Sequence, residues 1–274
     1  MISYPAMLDV PVELLRFVAR LLRTERKARG TRKRTRALTC WYQAVFAVAW
    51  FRDRPNITRH ATAFGLSQAT GYRYLHEVID VLAARAPDLH EVLARAIDHG
   101  IPHLILDGKV FDTDRLREKT TSVKGEQIDA WYAGKTHDFG GNVQILFEPG
   151  GFPIWSSDVE PGGLADIDTA RTHVLPAVYP AAKALPVLAD SGYQGAGHGV
   201  HTPFKQPADG SDLAIDKRAY NTLLRALRCL GERGFALLTQ RWTTLQHITL
   251  SPGRIGDLVR AALVLTHFEY SRIS

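Results

Sequence analysis

Two apolar runs in this chain stop on an acid. "HLILD" ends at Asp107, and "LPVLAD" ends at Asp190, followed at once by Ser191, Gly192 and Tyr193. Asp is a poor strand residue and costly to bury, so each either starts a turn or is held at a strand end because its charge is used. In open α/β sheets, functional groups collect at the carboxyl ends of strands. If these two strands are adjacent and parallel, the acids lie about 5 Å apart. One of two such carboxylates takes up a proton unless a cation sits between them. Oxygen donors with no His or Cys beside them suit magnesium or manganese. A third set of polar groups, Asn221, Arg225, Arg228 and Glu232, falls within a ~60° stripe if residues 217–242 form one long helix. That stripe is too polar for plain core. It could also face solvent, with Arg228 and Glu232 an ordinary i,i+4 pair worth tenths of a kcal/mol.

The elements that must position these groups follow from periodicity. Residues 12–98 read as helices. "VELLRFVARLLRTERKARG" places Leu14, Phe17, Val18, Leu21 and Leu22 on one face and ends in a basic run, Arg26 to Arg36, stopped by Gly30. "ALTCWYQAVFAVAWFRDRP" is apolar nearly all round and reads as a buried helix closing before Pro55. From residue 103 the texture changes. "NVQILFEPGGFPIWSSDV" reads as two strands around Pro149-Gly150-Gly151. "LADIDTARTHVLPAVYP" is a helix ended by Pro176, "HTPFK" a short further strand, and "IGDLVRAALVLTHF" a last helix. A hairpin, then strands alternating with helices, makes a mixed α/β sheet preceded by an all-α region. The expected division is a helical domain at 1–98 and a sheet domain at 99–274.

Charge is unevenly placed. The formal net charge is +6, yet the first hundred residues hold sixteen Lys/Arg against nine Asp/Glu, so the whole positive excess lies there. A polyanionic partner contacted by this region is the simplest physical reading, with a solubility face as the alternative. Within it, "ITRHATAFGLSQATGYRYLHEVIDVL" reads as a short helix, a turn at Gly65 and a second helix capped by Ser67. Ala61 is small where the two helices cross, and Leu66 packs under the turn. This is a helix-turn-helix arrangement, a pattern shared by other αα-hairpins. The exposed start of the second helix offers Gln68 and Arg73 to base edges, and Thr70 and Tyr72 to phosphates.

"LILDG", "LADSGYQG" and the run of Asn221, Arg225, Arg228 and Glu232 resemble the three acidic motifs of DDE transposases. The closest resemblance is to insertion-sequence transposases of the fifth family, which join a helix-turn-helix head to an RNase H-like domain. It covers about residues 37–272. It implies that Asp107, Asp190 and Glu232 are a metal-binding triad holding two divalent ions, Mg2+ or Mn2+. It also implies that Arg225 and Arg228 bind phosphates, that double-stranded DNA is cut, and that the freed 3′-OH is joined to a target. Terminal inverted repeats would be bound by the head, and the need to unite two ends implies a homodimer. Two departures stand out. Asp166 occupies the place of a His-Asp pair in many relatives, with Ala165 instead of the His. Thr239 stands where relatives often carry Lys, with Arg241 as the nearest substitute.

Other residues argue for less. Asp112 and Asp114 follow the strand and read as capping or turn residues. His198 and His201 lack a third ligand and read as surface histidines. Trp131, Tyr132, Lys135 and His137 either touch DNA or anchor a folded loop. Ser156, Ser157 and Ser191 have no His–Asp order of a serine hydrolase, and the Gly-Gly pairs lack the Lys of a phosphate loop. Cys40 and Cys229 are isolated, which fits a reducing cytoplasm. The N-terminus lacks a secretory pattern, and no apolar run is long enough to span a membrane. Two rivals remain: a nuclease on the same fold that cuts without joining, and a DNA-binding regulator whose sheet does not catalyse.

Overall fold

Four helices near the start of the chain begin at a side-chain cap, as their sequences require. Thr39 accepts from the Tyr42 amide and opens α2 (Cys40–Asp53), and Asn56 accepts from Thr58 and Arg59 and opens α3 (Ile57–Ala63). Ser67 accepts from Thr70 and opens α4 (Gln68–Ala83), and Asp88 accepts from His90 and Glu91 and opens α5 (Leu89–Asp98). Of the first five helices, only α1 (Val12–Ala28) starts without one, behind Pro11. These elements come from a computed structural model that describes residues 8–32, 34–121 and 125–273. The start of the basic N-terminal arm, 1–7, and Lys33 within it lie outside the described residues.

The chain forms two compact units. The first takes Met1–Ala86 together with Leu238–Gln246 and Asp257–Ser274. The expected apolar face of α1 is buried, and α2 is buried along nearly its whole length. Gly65, at φ +70°, makes the turn between α3 and α4, where a side chain would be strained. The two helices cross where expected: a Cβ at Gly71 would stand 2.8 Å from that of Ala61. A buried carboxylate, Glu77, is paired with Arg36 and accepts from Gln43 Nε2 at 2.9 Å. The C-terminal segments complete this core. Phe268 stacks on Phe17 at 4.5 Å, and the fully buried Trp242 donates to Thr266 at 2.9 Å.

The second unit, Pro87–Leu237 with His247–Gly256, is built on a six-stranded mixed sheet. Its strands are β1 (Leu104–Asp112), β4 (Tyr132–Ala133), β5 (Asp138–Phe147), β6 (Pro153–Pro161), β7 (Val187–Leu188) and β8 (Val200–His201); a separate hairpin joins β2 (Lys119–Thr121) to β3 (Gln127–Asp129). The order is β4-β5-β1-β7-β8, with β6 also paired to β5. The β5–β6 hairpin is antiparallel, as is β1 on β5, whereas β1–β7 and β7–β8 are parallel. The apolar core gathers Leu89, Val92 and Leu93 of α5 with Leu104, Leu106, Val187 and Ala189. α6 (Asp166–His173) and α7 (Leu175–Ala181) add Ala170, Val174, Leu175 and Val178. This is a helix-flanked, RNase H-like mixed sheet, preceded by a helical region.

Four local readings are corrected. β1 does not end at Asp107 but runs on to Asp112, because Ile105–Asp112 pairs residue by residue with Phe147–Gly140. That long ladder outweighs the poor strand propensity of "DGKVFD". Pro176 does not end a helix. It sits in the first turn of α7, where its missing N–H is harmless. The strand expected at "HTPFK" is shorter and starts one residue earlier, at Val200–His201. The single helix over 217–242 is two, α8 (Ile215–Arg228) and α9 (Leu230–Arg241). The restart lies against the β5–β6 turn, where a Cβ on Gly151 would come within 2.1 Å of the Leu230 carbonyl oxygen. The ~60° stripe therefore does not hold across Cys229.

Candidate active site

Parallel pairing of β1 and β7 sets Leu104 beside Val187 and Ile105 beside Leu188. Two residues further on along each chain stand Asp107 and Asp190. The first remains in its strand; the second lies beyond the end of β7 and caps the short turn Ser191–Tyr193, accepting from the Gly192 amide at 2.8 Å. Asp107 Oδ1 accepts from the Gly108 amide at 3.0 Å. Burial pushes the Asp107 carboxyl up to about 6. The nearby Arg228 opposes that rise, while the charges of Asp190 and Asp166 add to it.

Asp166, the first residue of α6, joins this pair. A Cβ on Gly108 would stand 2.5 Å from Asp166 Oδ1. A Cβ on Gly192 would stand 2.9 Å from Asp190 Oδ1 and 3.6 Å from Asp166 Oδ2. Asp166 Oδ1 accepts from Asn142 Nδ2 at 2.8 Å, and Oδ2 accepts from Lys135 Nζ at 3.1 Å. Asn142 in turn accepts from Gln144 Nε2 at 2.9 Å, and Gln144 accepts from the Tyr193 hydroxyl. Asn142, Gln144 and Tyr193 are fully or almost fully buried. Burial, with the three acids close by, raises the Tyr193 phenol well above its ordinary value, so it stays a donor. Lys135, in the turn between β4 and β5, is held charged chiefly by Asp166, and also by Asp190 and Asp107, against its desolvation. The sequence reading missed this network. Its one signal was Asn142 and Gln144 two apart in "NVQILF", hence on one face of a strand otherwise apolar there.

The remaining expected residues scatter. Arg228 reaches the site, with Nη2 4.0 Å from Asp190 Oδ2 and Nε buried without a hydrogen-bond partner. Asn221 is used elsewhere, bonding both the amide and the carbonyl of Phe204 at 2.8 and 3.0 Å. Arg225 is exposed on α8. Glu232 is exposed in the first turn of α9 and is not among the charges acting on Asp107. Thr239 is half-buried, and Arg241 is engaged by Glu269 and by Asp9 at 3.1 Å. Among the described residues, no three His, Cys, Asp or Glu side chains stand close enough together to enclose a metal ion. The donor chemistry nevertheless fits a hard divalent cation: Asp107 and Asp190 converge, and the Arg228 guanidinium beside them suits a phosphate.

In the first unit, Gln68 and Arg73 are exposed at the start of α4. Thr70 accepts from Arg73 at 2.8 Å and Ser67 at 3.1 Å, and Tyr72 stacks beside His76. A groove of about 1010 Å3 is lined by Arg16, Arg20 and Arg23 of α1 with Phe17 and Trp41. Of the minor candidates, Trp131 is a buried anchor donating to Glu118 at 2.6 Å, Asp114 accepts from His247, and His198 and His201 lie on the surface.

A family model described as DDE superfamily endonuclease matches residues 106–267. No curated protein and no solved structure matches the chain. No helix among the described residues is long and apolar enough to cross a membrane.

Proposed function

The chain belongs to the DDE superfamily endonucleases, and from that premise we propose that it is a transposase that cuts the ends of a mobile element and joins them to target DNA. The observation that carries this reading is the meeting of Asp107 and Asp190 from adjacent parallel strands within the matched region. Asp107 and Asp190 would hold a divalent cation, Mg2+ or Mn2+, with Glu232 as the third carboxylate by its place in the motif. When bound there, such an ion supplies Lewis acidity toward a phosphodiester and its attacking water.

The chain's own side chains do the rest. Arg228, with Nη2 4.0 Å from Asp190, holds a phosphate oxygen beside the two acids. Arg225, exposed on α8, takes a flanking phosphate. The helical head reads the terminal inverted repeats through Gln68 and Arg73, with Thr70 and Tyr72 on the backbone, and the basic first third supplies the sequence-independent part of the affinity. Two ends must be joined, so the working species is a homodimer on DNA.

The test uses purified protein and duplexes taken from the DNA flanking its own gene, with and without Mg2+, beside Asp190→Asn. Discrete, metal-dependent cutting that vanishes in the variant supports the reading. Equal binding without cutting in both proteins overturns it. A pre-cut end that yields no strand-transfer product would reduce the activity to a nuclease.

A further inference from the structure

We propose that Asp166 is a cation-holding carboxylate of the acidic centre, and that Lys135 is the resident counter-charge a divalent ion displaces. This rests on the reading above and deepens it.

An ionised carboxylate only accepts hydrogen bonds, so Asn142 must turn its amide nitrogen toward Asp166. Its oxygen then faces Gln144, which must present its own nitrogen. The Gln144 oxygen is left for the Tyr193 hydroxyl. Every donor in this buried chain therefore points toward Asp166, which ends it as the acceptor. Such chains polarise one another, and leaving any member unpaired is expensive. Surface ion pairs have no need of three buried polar residues behind them.

The direction of the carboxylate matters too. Asp166 Oδ1 takes the chain, leaving Oδ2 turned toward Lys135 and lying within 3.6 Å of the point that Asp190 Oδ1 approaches to 2.9 Å. Gly108 permits this approach, since any side chain there would strike Asp166. Asp166 thus lies beside the two acids, with Arg228 on the Asp190 side and the Lys135 ammonium on its own, 3.1 Å from Asp166 and attracted by all three acids. Lys135 is 66% exposed on a turn, so it can swing away as a divalent ion arrives. A side chain with one charge would then give way to an ion with two.

The test is Mn2+ titration of the full-length protein by calorimetry, with metal-free melting temperature and circular dichroism as folding controls. Asp166→Asn keeps shape and hydrogen bonding but removes the charge. It should weaken Mn2+ at least tenfold. Lys135→Met removes the competitor and should tighten Mn2+ severalfold. Opposite signs are the signature, because a merely structural role would weaken binding in both or change neither. Wild-type affinity in Asp166→Asn, with Asp107→Asn abolishing binding, overturns this inference while the active-site reading stands. Wild-type protein that takes up no Mn2+, or Asp107→Asn that binds as well as wild type, overturns both. Should Asp166→Asn fail to fold, the exposed Lys135→Met decides alone, and unchanged or weaker affinity overturns the proposal.

Discussion

Arg228 stands 4.0 Å from Asp190 and also draws on the charge of Asp107, yet its Nε donor is buried with no partner. The guanidinium is close enough to steady two acids and too loosely bound to be consumed by them. A charge-assisted bond to a phosphate is worth about 1.5–3 kcal/mol. Arg228→Gln should therefore lower DNA cleavage by roughly 10- to 100-fold, with Arg228→Lys recovering only part because Lys lacks the planar fork. The same loss should move the Asp107 carboxyl further above 6, since its main opposing charge is gone. Carboxyl NMR titration reads that shift, and an unmoved Asp107 would remove Arg228 from the site.

Asp107 also makes a stability prediction. Its folded carboxyl titrates at about 6, against roughly 4 in an unfolded chain. Between those values the folded state binds the extra proton, so metal-free wild type gains stability as pH falls through this window and loses it as pH rises. The full effect is on the order of 2–3 kcal/mol. Metal-free Asp107→Asn should thus unfold at higher denaturant than wild type at pH 7.5, and the gap should close near pH 4. A gap that is independent of pH would mean that the carboxyl is not desolvated.

In the first unit, Glu77 is a 7% exposed carboxylate held by Arg36 and Gln43. Removing one partner of a buried pair leaves the other charge uncompensated, at about 3–5 kcal/mol. Glu77→Ala should destabilise by that amount in urea. Glu77→Met with Arg36→Met together should cost far less than the sum of the singles, and additive losses would show that the pair is not coupled.

DNA contacts should separate by salt. Arg20 and Arg23 line the α1 groove, and if they meet phosphates, changing each to Gln should reduce the slope of log affinity against log salt by about 1 for all sequences. Arg73→Ala, at the exposed start of α4, should instead narrow the gap between specific and random duplexes, by about 1–3 kcal/mol. Fluorescence anisotropy over a salt series distinguishes the two. Identical slopes for Arg20→Gln and wild type would exclude the groove as a phosphate surface.

What the sequence by itself determined was local and periodic: the buried faces of α1 and α2, the capped helix at Ser67, the β5–β6 hairpin, and the two acids after apolar runs. Caps, turn residues and burial stripes are written within a few residues, so they can be read there. The matching positions of Asp107 and Asp190 were legible only as a condition, that their strands be adjacent and parallel. Tertiary structure supplied what no local pattern holds. The β5 ladder carried β1 past Asp107 despite its polar residues, and the contact of Leu230 with Gly151 accompanied a helix break at Cys229. Asn221 went to the Phe204 backbone, and Arg241 to Glu269 and Asp9. Asp166, Asn142, Gln144 and Lys135 were scattered polar residues until the fold placed one carboxylate against donors from β5 and from the turn before it. Partners distant in sequence are chosen by packing and by the need to satisfy buried polar groups, and a single chain of letters does not state which of them will meet.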